Sequence, residues 1–438
     1  MDQGFSRNLK TPAWFFFMLL LLLFGFRLVY GLTSEFWFED EIQIYLIGLK
    51  FYASGHWPWF GPDVVYTSSQ IPGALQGLLV GLPFYLLPVP ESPSLVANLM
   101  SFVSLSCLAW YIRRILPEIP WWFVWIWVLT SPWTLNYSTT VLNPSYALTG
   151  GIFFFIAFLE TVPSLSKNLL NRSTSYFLMG FALFWTMQLH ISWIIMVPYL
   201  LYSAILSLRV RKSLAKELFY FCLGAAIPLA LLIPTFVEFG FGAGSGNAGA
   251  NIKINWQNVK EIVTLISRYL SFASYELPRF LGSDTPSRLE LVKHYWPFLP
   301  FFIYTLLIGL VQPVVLFVFI FIPSKIPVQV RLLTGLTMLV LWISFFFSVK
   351  GPSSHTFYIT FPLAMIYSMF VWKELFIHLW FRRMMASMLI SGILVSGVLI
   401  HEHYYSRSLY KNREVVQRAI SEKNYHILGE RRSYDRNE

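Results

Sequence analysis

Apolar runs close to the roughly 20 residues needed to cross a bilayer recur from residue 12 to residue 400, and this repetition constrains the fold more than anything else. In lipid every backbone polar group must be satisfied within the chain, so such runs become helices. The expected fold class is therefore all-α integral membrane. The first span covers about 12–32. Later spans lie near 94–112, 120–137, 142–160, 175–190, 192–208, 217–237, 296–322, 328–349, 356–372 and 384–400, about eleven transmembrane helices in total. Composition agrees: 12% of the 438 residues are charged, against about 25% in soluble domains, and 56% are hydrophobic. The 17 Trp and 23 Tyr suit the two membrane interfaces.

The net charge of +10 does not point to nucleic acid, because Lys and Arg collect in short loops between spans. Two shorter helical pieces, Glu39–Ser54 and Pro72–Leu87, follow the first span. Placing the second at the interface, as a juxtamembrane helix, puts all the basic loops on one side: Arg113/Arg114, Lys167/Arg172, Arg209/Arg211/Lys212/Lys216, Lys325/Arg331 and Lys373/Arg382/Arg383. That is the positive-inside pattern. It predicts a cytoplasmic N-terminus, outer loops at 33–93 and 238–295, and two outer-face juxtamembrane helices. The Arg7/Lys10 flank with no small-residue cleavage pattern reads as an uncleaved span. Residues 1–400 form one transmembrane domain, and 401–438 a polar tail on the outer face with a small helix. The glycine-dense stretch Gly240–Asn251 is a mobile lid or a flexible linker, not a dinucleotide fingerprint, since no strand–turn–helix unit surrounds it. Cys107 and Cys222 lie in apolar segments and read as small core residues. No internal repeat suggests the two halves of a transporter.

Three successive carboxylates, Glu39-Asp40-Glu41, stand just past the first span at the mouth of an outer-face helix. Acidic residues also favour helix N-termini for purely structural reasons. The surrounding motifs add context. Asp40-Glu41 is followed by Tyr45, then by Gly61-Pro62 and a helix opening near Pro72. Near the C-terminus comes Ser353-Ser-His355-Thr-Phe-Tyr358-Ile-Thr-Phe-Pro362. In this order the chain resembles the GT-C glycosyltransferases that include the protein O-mannosyltransferases and the lipid A aminoarabinose transferases. Two positions depart from the family pattern: Gln70 stands where a Lys is common before the proline, and Asn143 where an Asp is common.

The resemblance implies transfer of a sugar from a polyprenyl-phosphate-linked donor to an acceptor hydroxyl on the periplasmic face, by a direct displacement that inverts the anomeric carbon. Asp40 is the expected general base and Glu41 its alternate or orienting partner. Candidates for the donor phosphate are Arg27, Lys350, His355, Tyr358 and Gln70. Arg27 stands out because an intramembrane charge is a functional candidate by default, although snorkelling to the interface also explains it. Candidates for further substrate contacts are Asn143, His190, Arg268 and Arg279. No metal-ligand spacing occurs; no cofactor is implied, and a divalent metal stays open. Partners are the lipid-linked donor, a glycan, lipid or protein acceptor, and the bilayer, which the small size makes a bacterial inner membrane. An O-antigen-type polymerase and a lipid-linked-sugar flippase or transporter are the competing readings.

Overall fold

The computed structural model describes residues 13–34, 39–64, 69–211, 214–241, 252–406 and 413–428; at Ala13, Glu39, Asp40, Val210 and Arg211 it describes the backbone alone. The chain is an all-α membrane bundle. Among the described residues seven helices are long and apolar enough to span a bilayer, and the pair α10 (Ala215–Ala230) and α11 (Ile233–Phe239), bent by 61°, makes an eighth when taken as one broken span. The long ones include α1 (Ala13–Ser34), α4 (Ser92–Ile115), α7 (Asn143–Thr161), α15 (Leu299–Phe321), α16 (Val328–Phe346) and α19 (Leu379–Ser406). Another is a 3-10 turn, Ile191–Met196, running into α9 (Val197–Arg211).

The other expected spans are helical but shorter. Helices α8 (Arg172–Met187) and α18 (Phe361–Leu375) have 16 and 15 residues. The 120–137 segment is broken into α5 (Trp121–Thr130) and α6 (Pro132–Ser138). Pro132 causes the break: the residue before a proline avoids the helical region, and Ser131 is extended at φ −60°, ψ 145°. A break inside lipid leaves carbonyls that must find donors. Arg27 Nη1 donates to Leu129 O at 2.8 Å, and the Tyr275 hydroxyl donates to Thr130 O at 3.1 Å.

Close helix contacts rely on glycine. Where α8 crosses α10, a Cβ at Gly180 or Gly224 would collide with the carbonyls of Phe221 and Phe177, the small-residue contact typical of membrane helices. Of the two cysteines, Cys107 is half-buried and Cys222 is exposed on the bundle surface rather than in the core.

The basic loops gather at one end of the bundle. There Lys373 pairs with Glu118 at 2.8 Å, the Tyr111 hydroxyl donates to Glu160 at 2.9 Å, and Arg172 reaches Ser207 at 2.7 Å. At the other end stand the two helices that follow α1, namely α2 (Glu39–Ser54) and α3 (Leu75–Leu86). The turn-rich sequence between them forms a short antiparallel hairpin, β1 (Phe60–Val64) with β2 (Ser69–Pro72), in which Gln70 lies opposite Asp63. Twelve residues of α3 extend only about 18 Å at 1.5 Å per residue, too short to cross. After Ser406, helix α20 (Arg413–Ser421) lies on the same end. Arg413 forks onto Glu91 at 2.6 and 3.3 Å, Gln417 bonds Pro88 O, and Tyr425 and Leu428 pack on Leu46 and Ile47 of α2.

Candidate active site

Helix α2 begins directly beyond the end of α1, so the three carboxylates occupy its first turn. The side chains of Glu39 and Asp40 lie outside the described ones; Glu41 is buried, with 2% exposure. Tyr45, one turn on, is fully buried and its hydroxyl donates to Pro90 O at 2.9 Å, tying α2 to the turn before α4. The hairpin carries this unit sideways onto the end of α8. Gly73, at φ +119°, sits against the Gln188 side chain, where a Cβ would overlap it. Gln188 Nε2 in turn donates to Pro228 O at 2.7 Å. The strand holding Gln70, itself buried, is thereby set beside Gln188, two residues before His190.

At His190 the structure gathers three of the expected residues. Helix α17 (Ser354–Phe357) packs on the turn Ile191–Met196, which brings His355 beside His190. Burial pushes the His190 imidazole down to about 3, and the nearby His355 and Lys350 push it further the same way. Its Nδ1 accepts from Ser192 N–H at 3.1 Å and lies 2.8 Å from the Ser192 hydroxyl. The neutral ring therefore carries its proton on Nε2. Lys350 is held by its backbone: Asn258 Nδ2 donates to the Lys350 carbonyl at 2.8 Å and to Ser348 O and Phe345 O. Asn258 was not a sequence candidate, since a lone Asn in a polar loop carries no local signal.

Two donor-site candidates are placed elsewhere. Arg27 has no exposed surface, and its guanidinium donates to Leu129 O, Thr134 O, Ser101 Oγ and Ser138 Oγ at 2.8–3.4 Å. It acts as the donor set for the broken α5–α6 segment, which explains a charge inside a span without a ligand. Tyr358 is likewise 1% exposed; its hydroxyl donates to Trp133 O at 3.0 Å and its ring stacks on Trp133. Both side chains are buried and engaged within the bundle, apart from Arg27 Nε, which has no partner among the described residues.

Among the substrate candidates, Asn143 opens α7 with its Oδ1 buried and without a partner among the described residues. Arg268 and Arg279 stand together in the second loop. Arg268 forms an ion pair with Glu276 at 2.9 Å. Arg279 lies over the Trp133 ring at 4.9 Å and donates to Ser354 Oγ at 3.3 Å, next to His355. Burial lowers the Arg279 guanidinium from its ordinary value, and Arg268 adds to that shift. Among the described residues no three His, Cys, Asp or Glu side chains are grouped to hold a metal ion.

An end-on platform of α2, α3 and a hairpin thus stands beside a bundle of spans. The solved structure of ArnT, a lipid A aminoarabinose transferase from Cupriavidus metallidurans bound to undecaprenyl phosphate, superposes on 95% of this chain and 76% of its own with a TM-score of 0.54 and 11% identity. The likeness is one of fold. The oligosaccharyltransferase AglB from Archaeoglobus fulgidus, solved with an inhibitory peptide and a dolichol-phosphate, aligns more loosely: TM-score 0.40, 12% identity, 94% of this chain and 56% of its own. No family model and no curated protein matches the sequence.

Proposed function

We propose that this protein is a membrane glycosyltransferase that moves a sugar from a polyprenyl-phosphate-linked donor to an acceptor hydroxyl. The observation that carries the reading is that, at one end of an ArnT-like fold, the hairpin following α2 packs on Gln188, two residues before the His190 that His355 and Lys350 surround. In this reading Lys350, with His355 beside it, holds the donor phosphate. The acceptor oxygen attacks the anomeric carbon, the bond from that carbon to the phosphate oxygen breaks, and polyprenyl phosphate leaves. The acceptor proton passes to Asp40, with Glu41 orienting. Positive charge beside the leaving phosphate anion makes a separate general acid unnecessary, and direct displacement inverts the anomeric centre. The reading takes Gln70 and Asn143, both neutral, as further substrate contacts.

The test is release of undecaprenyl phosphate from a synthetic undecaprenyl-phosphate hexose by protein in nanodiscs, a product common to every acceptor. Asp40→Asn should lower that release by roughly 100- to 10,000-fold, the usual worth of general-base assistance, with donor binding intact. Near-normal release by Asp40→Asn removes Asp40 from the mechanism.

We also propose that the α2–α3 end faces outside and the basic loops face the cytoplasm of a bacterial inner membrane, because positive loops are retained inside. With Cys107 and Cys222 replaced by Ser, an impermeant thiol reagent should label Ser283→Cys in intact cells and leave Lys325→Cys unmodified. The reverse labelling inverts the topology.

A further inference from the structure

Beside the candidate active site a cleft of about 430 Å³ opens between the second loop and α15. Its polar rim is formed by Arg268, Arg279 and Arg288, with Glu276 as the one carboxylate. Three guanidiniums against one carboxylate leave two positive charges in excess. Arg288 is steered into place by its Nε bond to Gly282 O at 2.9 Å. Arg279 is steered by Trp133 and Ser354, while its Nη1 is buried without an acceptor among the described residues. The opposite wall is apolar. Leu299, Ile303, Leu306 and Leu310 follow one another at helical spacing on α15, each between 41% and 58% exposed. In a spanning helix such a stripe faces hydrocarbon.

We propose that this cleft binds the acceptor, and that the acceptor is an anionic membrane lipid held by its phosphate. The arginines clamp the phosphate, for which planar guanidiniums are well shaped. The lipid's chain lies down the α15 stripe, so it enters sideways from the bilayer and need not leave it. The Arg279–Ser354 contact ends one residue from His355, which brings the headgroup up to the donor phosphate from the far side. A peptide acceptor would need neither the apolar stripe nor an excess of positive charge. The proposal rests on the reading that the donor phosphate sits at Lys350 and His355.

The test uses the full-length protein and three probes: dioleoyl phosphatidylglycerol, which has a phosphate and free headgroup hydroxyls, dioleoyl phosphatidylcholine, and undecaprenyl phosphate. Native mass spectrometry should show saturable retention of phosphatidylglycerol over phosphatidylcholine, undiminished by undecaprenyl phosphate. The double variant Arg268→Gln/Arg288→Gln should lower phosphatidylglycerol retention at least tenfold and leave undecaprenyl phosphate retention unchanged. Melting temperature checks that the variant folds; the single variant Arg288→Gln, which keeps the Arg268–Glu276 pair, replaces it otherwise. Release of undecaprenyl phosphate from the hexose donor should be faster in nanodiscs containing phosphatidylglycerol, for the wild type and not for the variant. Equal retention of the two phospholipids, or an acceleration that survives the variant, overturns the proposal. Loss of undecaprenyl phosphate with the arginines also overturns it, because the cleft would then be the carrier's. Failure of Lys350→Gln to weaken undecaprenyl phosphate counts against the donor reading alone.

Discussion

Arg27 and His190 are both cation-forming groups that the bundle takes in, and their surroundings are opposite. Arg27 is met by neutral acceptors: two carbonyls released by the α5–α6 break and the hydroxyls of Ser101 and Ser138. His190 is driven to its neutral form first by burial and then by groups of its own sign, His355 and Lys350. A charge enclosed by acceptors completes a fold. Charges of like sign set close together mark a candidate site for an anion. Sequence position alone made Arg27 look the more functional of the two.

This contrast can be broken most forcefully at Arg27. Arg27→Gln strands Leu129 O in a buried setting, and an unsatisfied buried polar group costs about 1–3 kcal/mol. Together with the lost hydroxyl bonds the expected loss is roughly 2–4 kcal/mol, read as a lower melting temperature in detergent. The protein that survives should release undecaprenyl phosphate at the wild-type rate. A normal melting temperature with lost turnover would put Arg27 back at the phosphate.

His190 sharpens the other half with a smaller effect. Its folded value, about 3, lies below the value of about 6.5 expected in an unfolded chain. Between those two values the unfolded chain binds a proton that the folded one does not. Stability from the neutral ring is therefore complete above about pH 6.5 and falls as pH drops, by roughly 1–2 kcal/mol at pH 5. His190→Asn should lose less melting temperature between pH 7 and pH 5 than the wild type does. Equal losses would show that His190 is not held neutral.

The helices were legible because lipid imposes a length and a composition on each of them, and α3 was set at the interface because that placement puts every basic loop on one side. Helix α2 was also marked by Glu39-Asp40-Glu41, a run of charge with no place inside a membrane. The break at Pro132 was missed because apolar residues continue through it, and its repair depends on Arg27, more than a hundred positions earlier. Tyr358 was a phosphate candidate because it stands in the Ser353–Pro362 motif; the structure turns its hydroxyl inward to Trp133. His190, Lys350 and His355 were each visible as candidates, but their convergence depends on α17 packing against the Ile191–Met196 turn, which no local pattern encodes. Arg288 drew no attention among other loop charges until α15 supplied the apolar wall of its cleft.

The central claim is that the crowded cationic end holds a polyprenyl phosphate. It is tested most directly by titrating undecaprenyl phosphate onto the purified protein and onto Lys350→Gln/His355→Ala, with retention read by native mass spectrometry. Charge-assisted contacts to phosphate contribute roughly 1.5–3 kcal/mol each, so removing both should weaken retention by about a hundredfold or more, at 1.4 kcal/mol per factor of ten. The melting temperature should stay close to that of the wild type. Unchanged retention by the double variant would contradict the account.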